Sequence, residues 1–179
     1  MLKIILIVVA VAIAGFLAYA ATLPDLFRVS RSVVVQTTPE NVFPLINDMQ
    51  RFNTWNPFNK KDPNIKGTYS GPTAGPGAKY AFQGNKDVGS GDLEITESTA
   101  PSRVVFALNM VAPMKASNKV TFTIQPEGSG TRVTWAMEGE SPYFAKLIHV
   151  FIDMDKMVGK EFENGLTSLK AIGESPARG

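Results

Sequence analysis

The chain is expected to be an α+β protein. An antiparallel sheet of about seven strands packs on a long C-terminal helix, and a single apolar helix precedes both. Three observations carry this expectation. Residues 4–23 contain no charge. Residues 65–139 alternate apolar and polar positions between closely spaced turn signals. From Leu147 to Leu169, apolar residues recur at three- and four-residue steps and form one helical stripe.

The apolar run, from Ile4 to Leu23, is long enough to cross a bilayer. A helix of that length rises roughly 30 Å, the thickness of the hydrocarbon core. Pro24 stops it, and Asp25 is the first charge after Lys3. A retained single-pass anchor over residues 1–24 is the expectation. A cleaved signal is the alternative, since Lys3 and Ala18-Tyr-Ala20 supply a basic start and a small-x-small site, and cleavage would free a secreted or periplasmic domain. Lys3 lies on one side of the span and Arg28 and Arg31 on the other, so charge leaves the orientation open.

Residues 25–179 are then one domain, large enough for a substantial core. The whole chain carries a formal charge of +2, and Lys3 lies in the anchor, so the domain is nearly neutral. With no basic run or basic stripe, nucleic acid is not an expected partner. The absence of cysteine excludes disulfides and thiolate metal sites. No cofactor is expected.

Along the domain, residues 29–36 are rich in β-branched side chains and read as a first strand. Thr38-Pro-Glu40 opens a helix, with Thr38 as its cap and Pro39 at its first position. Val42, Phe43, Ile46 and Met49 give that helix an apolar face, and Pro44 should bend it. The aromatic segment Phe52-Asn-Thr-Trp55-Asn-Pro57-Phe58 follows. Six strands come next, broken at residues 84–87, 99–102, 112–113 and 126–130, with a Gly/Pro-rich loop at residues 71–77. Such spacing leaves no room for crossover helices, so the strands form an antiparallel meander with one wet and one apolar face. A single helix is expected from about Ser141 to Ile172, with Gly159 and Gly165 relieving crowding against the sheet.

Several segments in this order are shared with a known family: Arg31-Ser-Val-Val-Val35, Thr38-Pro-Glu-Asn-Val-Phe43, Trp55-Asn-Pro57, Gly89-Ser-Gly-Asp-Leu-Glu-Ile-Thr96, Gly130-Thr-Arg-Val-Thr-Trp135 and Phe162-Glu-Asn-Gly-Leu166. The sequence resembles the START/polyketide cyclase superfamily (SRPBCC), particularly its bacterial members with an N-terminal membrane segment. Phe58 stands where many relatives carry a second tryptophan. The resemblance implies the helix-grip fold, a curved sheet wrapped around a long C-terminal helix, with an apolar cavity between them.

The inward parity would line that cavity with Tyr80, Phe82, Phe106, Leu108, Met110, Phe122, Trp135 and Met137. The helix would add Phe151, Met154, Val158 and Phe162, while Phe43 and Trp55 would sit near the mouth or beneath it. The same parity is needed by any sheet packed on a helix, so it specifies a core as readily as a pocket. The implied function is binding or carriage of a hydrophobic small molecule such as a lipid, isoprenoid, quinone or polyketide-like compound.

Two alternatives stand beside it. One is a cyclase, dehydratase or hydrolase using the same cavity, with Tyr69, Tyr80, Asp48 or His149 guiding the chemistry. The other is a ligand-free module that binds a partner through an exposed apolar patch. His149 is the sole histidine and reads as structural, and one histidine without cysteine cannot make a common zinc site. Arg31 and Arg103 read as strand charges. Asp153, Asp155, Glu161 and Glu163 read as a solvated helix face interleaved with Lys156 and Lys160. Phosphate-loop, dinucleotide and nucleophile-elbow motifs are absent.

Overall fold

A computed structural model describes residues 1–151 and 153–175; the side chain of His149 also lies outside the described residues. Helix α1 (Leu2–Thr22) is followed by strand β1 (Leu26–Val35). Three short helices come next: α2 (Pro39–Asn47), α3 (Met49–Trp55) and α4 (Pro57–Lys61). The meander is β2 (Lys66–Ser70), β3 (Lys79–Gln83), β4 (Ser90–Thr99), β5 (Arg103–Ala112), β6 (Ala116–Glu127) and β7 (Gly130–Glu140). Helices α5 (Tyr143–His149) and α6 (Met154–Gly173) close the chain.

The seven strands form one antiparallel sheet in the order β1-β7-β6-β5-β4-β3-β2. The first strand therefore closes the meander by pairing with the last. Two register shifts in the β4–β5 ladder, at Ser90/Gly91 and Ile95/Glu97, bend and twist the sheet at that point. This is the expected helix-grip arrangement.

Local chemistry explains the short helices. Pro39 and Pro57 each open a helix, where a missing N–H costs nothing. The Asp48 carboxylate accepts from the backbone N–H groups of Gln50 and Arg51 at 2.9 and 3.0 Å, which ends α2 and starts α3. Asn56 caps α4 through Phe58 N–H. The expectation for Thr38 needs correcting: it occupies the cap position of α2 but makes no side-chain cap bond. Glu40's own backbone N–H, and then the Thr38 hydroxyl, bond the Glu40 carboxylate and hold that carboxyl below its ordinary range.

The expected helix over residues 141–172 is a second correction, since it is two helices. Asp153 adopts an extended conformation and accepts from Lys156 N–H at 3.0 Å, so α6 begins afresh there. The apolar stripe continues through the break, which is why periodicity alone ran the two together.

The core lies between the inner sheet face, helices α2 and α3, and α6. Arg31 on β1 fixes α6 over it. Its guanidinium forms a fork on Asp155, with both Nη–Oδ distances 2.9 Å, and bonds Glu163 Oε1 through Nε at 2.9 Å. Any Cβ at Gly159 would run into the Arg31 guanidinium. Gly165 does the same for Trp135 and Pro57: a Cβ there would fall 2.7 Å from the indole and 2.9 Å from the proline ring. The Arg31 pair holds the Asp155 carboxyl below its ordinary range.

Candidate functional site

The inner face of the sheet has two ends of different character. Register places Trp135 beside Phe122, and Val120 between Met137 and Phe106. Further along the strands, Leu108 pairs with Leu93, Leu93 with Tyr80, and Gly91 with both Met110 and Phe82.

At the first end, Trp55, Phe106, Phe122, Trp135 and Phe162 are fully or almost fully buried. Their rings meet one another. Trp135 stacks on Phe162 with centroids 4.1 Å apart, and lies 4.9 Å from Phe122 and 5.7 Å from Trp55. Phe106 lies 5.8 Å from Phe122. Phe52 completes the cluster at 4.9 Å from Trp55 and 5.2 Å from Phe106, although it was not among the expected lining residues. Its position three residues before Trp55 on one helix face was the available signal.

At the second end the packing loosens. Tyr80 and Met137 are buried, whereas Phe82, Leu108, Met110, Met154 and Val158 are only half-buried. Phe43 is half-buried against the core on α2. The inner-face positions Gly67, Gly91 and Gly139 carry no side chain here. The Tyr80 ring occupies the space beside Gly67, and the Phe27 ring and Asn118 side chain fill that beside Gly139. This end thus combines flexible methionines, aromatic rings and the polar tips of Asn118 and Tyr80. Tyr80 stacks near Tyr69 at 4.8 Å. Burial, then proximity to Tyr69, pushes its phenol above the ordinary tyrosine range, so at neutral pH it is a hydrogen-bond donor and not a base.

Phe151 lies elsewhere. It is 79% exposed and its ring packs 5.5 Å from Phe16 of α1, because the break before Asp153 turns it off the α6 stripe. Asp48 is committed to capping α3, which removes it from the residues expected to guide chemistry. Among the described residues, no group of three acidic or histidine side chains lies close enough to hold a metal ion.

One polar atom in the buried cluster is unaccounted for. Trp55 Nε1 donates to the Leu45 carbonyl at 2.8 Å. Trp135 Nε1 is buried and has no hydrogen-bond partner. A donor in that state costs about 1–3 kcal/mol unless something accepts from it.

A seven-stranded antiparallel sheet gripping a C-terminal helix over an apolar interior defines the helix-grip class. Within it, the chain belongs to the polyketide cyclase/dehydrase and lipid transport family, whose model matches residues 27–174. Solved structures share the fold at low identity. Protein CV1439 from Chromobacterium violaceum superposes with a TM-score of 0.60 at 18% identity, over 86% of this chain and 100% of that one. Major latex-like protein 151 from Panax ginseng gives 0.59 at 12% identity, over 86% and 100%. The Aha1 dimer from Colwellia psychrerythraea gives 0.57 at 17% identity, over 86% and 99%. No curated protein matches by sequence.

Proposed function

We propose that the chain is a membrane-anchored binding or carrier protein for a hydrophobic small molecule held between the sheet and α6. The ligand class is a lipid, isoprenoid, quinone or polyketide-like compound bearing at least one oxygen acceptor. The observation that carries this reading is the buried, unpartnered N–H of Trp135 among otherwise apolar rings. A carbonyl, hydroxyl or quinone oxygen reaching it would satisfy the donor, while the apolar body of the ligand would be removed from water at roughly 25 cal/mol per Å².

Two further features support the reading. The loosened end, with Met110, Met137 and Met154, is built from side chains that adapt to irregular shapes. Helix α1 is long and apolar enough to cross a membrane, and Ala20 is its one buried residue. Tethering would concentrate a membrane-derived ligand near the pocket.

The test is native mass spectrometry of the full chain in mild detergent, before and after exposure to a fatty acid, a prenyl alcohol, a short-chain ubiquinone and a flat aromatic polyketide. A bound mass is expected, and Trp135→Phe should weaken an oxygen-bearing ligand by about 5- to 30-fold, as for loss of one hydrogen bond. A protein that co-purifies with nothing and takes up no member of the panel would refute the function.

A further inference from the structure

We infer that α5 and the turn after it form a second membrane-contacting element, lying in the bilayer interface beside α1 and inserting Phe144 and Phe151 among lipid chains. The inference rests on the anchoring role proposed for α1 and goes beyond it, because it concerns a surface of the globular domain.

The burial pattern of α5 is inverted relative to a helix facing water. A water-facing helix turns its lysines out and its phenylalanines in. On α5, Phe144 is 64% exposed and Tyr143 46% exposed, while Phe151 just beyond is 79% exposed. Lys146 is only 6% exposed, its stem packed in and its Nζ paired with the exposed Asp25 carboxylate at 2.6 Å. Met157, in the first turn of α6, adds a further exposed apolar side chain at 53%. Apolar surface is thus offered outward at the one place where the charged residue of the helix is folded in. Such a face suits a hydrocarbon environment and not water.

Position identifies the occupant as lipid. Tyr143 Oη donates to the Leu17 carbonyl of α1 at 3.0 Å, and the Phe151 ring meets Phe16 of α1 at 5.5 Å. Phe16 precedes Thr22, the last residue of α1, by six positions. At 1.5 Å per residue this places it roughly 9 Å inside the end of the span. A side chain in contact with Phe16 lies at that depth whenever α1 crosses a bilayer. Amphipathic interfacial helices bury their apolar face about 5–10 Å into the boundary between headgroups and chains, which matches. The Lys146–Asp25 ion pair falls just past the end of α1, at headgroup level.

The break between α5 and α6 then has a physical purpose. It lets α5 follow the membrane while α6 stays on the sheet. Met154 and Val158, half-buried on the first turns of α6, follow directly after the inserted turn.

The cysteine-free chain allows a direct test. Single substitutions Phe144→Cys, Phe151→Cys, Ile13→Cys and Thr167→Cys are made in the full protein, spin-labelled and reconstituted in phosphatidylcholine/phosphatidylglycerol vesicles. Collisional accessibility to oxygen and to a water-soluble nickel chelate is then measured. Labels at 144 and 151 should show an oxygen-to-nickel ratio several-fold above that at 167 and below that at 13. Labels at 144 and 151 that resemble 167 while 13 stays deep would overturn this inference and leave the anchor intact. Shielding of both sites from both reagents would mean protein contact, which also overturns it. A water-exposed label at 13 would instead refute the anchor itself, and this inference with it. As a second measurement, emission from Phe144→Trp and Phe151→Trp should be quenched by lipids brominated on the acyl chain, because both native tryptophans are buried.

Discussion

Replacing Gly165 by alanine sets helix propensity against tertiary packing, and the two give opposite signs. Gly165 lies in the interior of α6, where alanine is favoured over glycine by about 1 kcal/mol. The new Cβ, however, would sit 2.7 Å from Trp135 Cζ3 and 2.9 Å from Pro57 Cδ. Carbon atoms settle at about 3.5–4.0 Å, so the overlap is roughly 0.6–0.8 Å on two sides at once. Neither neighbour yields readily. The indole is held between Phe162 at 4.1 Å and Phe122 at 4.9 Å, and Pro57 opens α4. Overpacking against rigid groups costs about 1–3 kcal/mol, which exceeds the propensity gain. From the middle of that range, the net expectation is a loss of about 1 kcal/mol, or about 2–4 °C in Tm. Urea and thermal unfolding of the full chain in mild detergent, followed by tryptophan emission, measures it. Thr167→Ala, on the exposed face of the same helix, is the control and should change stability by less than about 0.5 kcal/mol. A Gly165→Ala protein as stable as the parent would refute the packing argument.

Further predictions come from the same contacts. Trp55→Phe should destabilise the protein by about 1–2 kcal/mol more than Trp135→Phe, since only the first orphans a buried carbonyl, that of Leu45; equal losses in denaturant titrations would contradict this. Arg31→Gln should lower stability most near neutral pH. The Asp155 carboxyl is depressed below 3.8 by its Arg31 bond, so that stabilisation is full above the unfolded value and disappears as pH falls through the folded one. The gap in Tm between parent and variant should therefore narrow as pH drops from about 6 to below about 3.5, and a gap independent of pH would count against the pair.

The strands were legible because an inward-facing strand repeats every two residues and its turns are marked by glycine and proline. Val120, Phe122 and Ile124 declare their face without reference to any partner. The three short helices were partly legible: prolines at residues 39 and 57 mark two starts, but Asp48 was read as a possible reactive group when its local role is to cap. The site was least legible. Trp55, Phe106, Phe122, Trp135 and Phe162 carry the right parity for a lining, and that parity is also what a filled core requires.

By itself, the sequence determined the apolar span, the antiparallel meander and the face each strand turns inward, since these are set by spacing along one stretch of chain. Only the tertiary structure decided what depends on residues far apart. Arg31 meets Asp155 from 124 positions away, which explains Gly159. Trp135 is left with an unpartnered donor where the Phe122, Phe162 and Trp55 rings pack around the indole. Phe151 leaves the helical stripe because α5 packs on α1, and a stripe cannot tell whether its neighbour is a sheet or another helix. Periodicity reports which side of an element is apolar. What that side touches is a property of the folded chain.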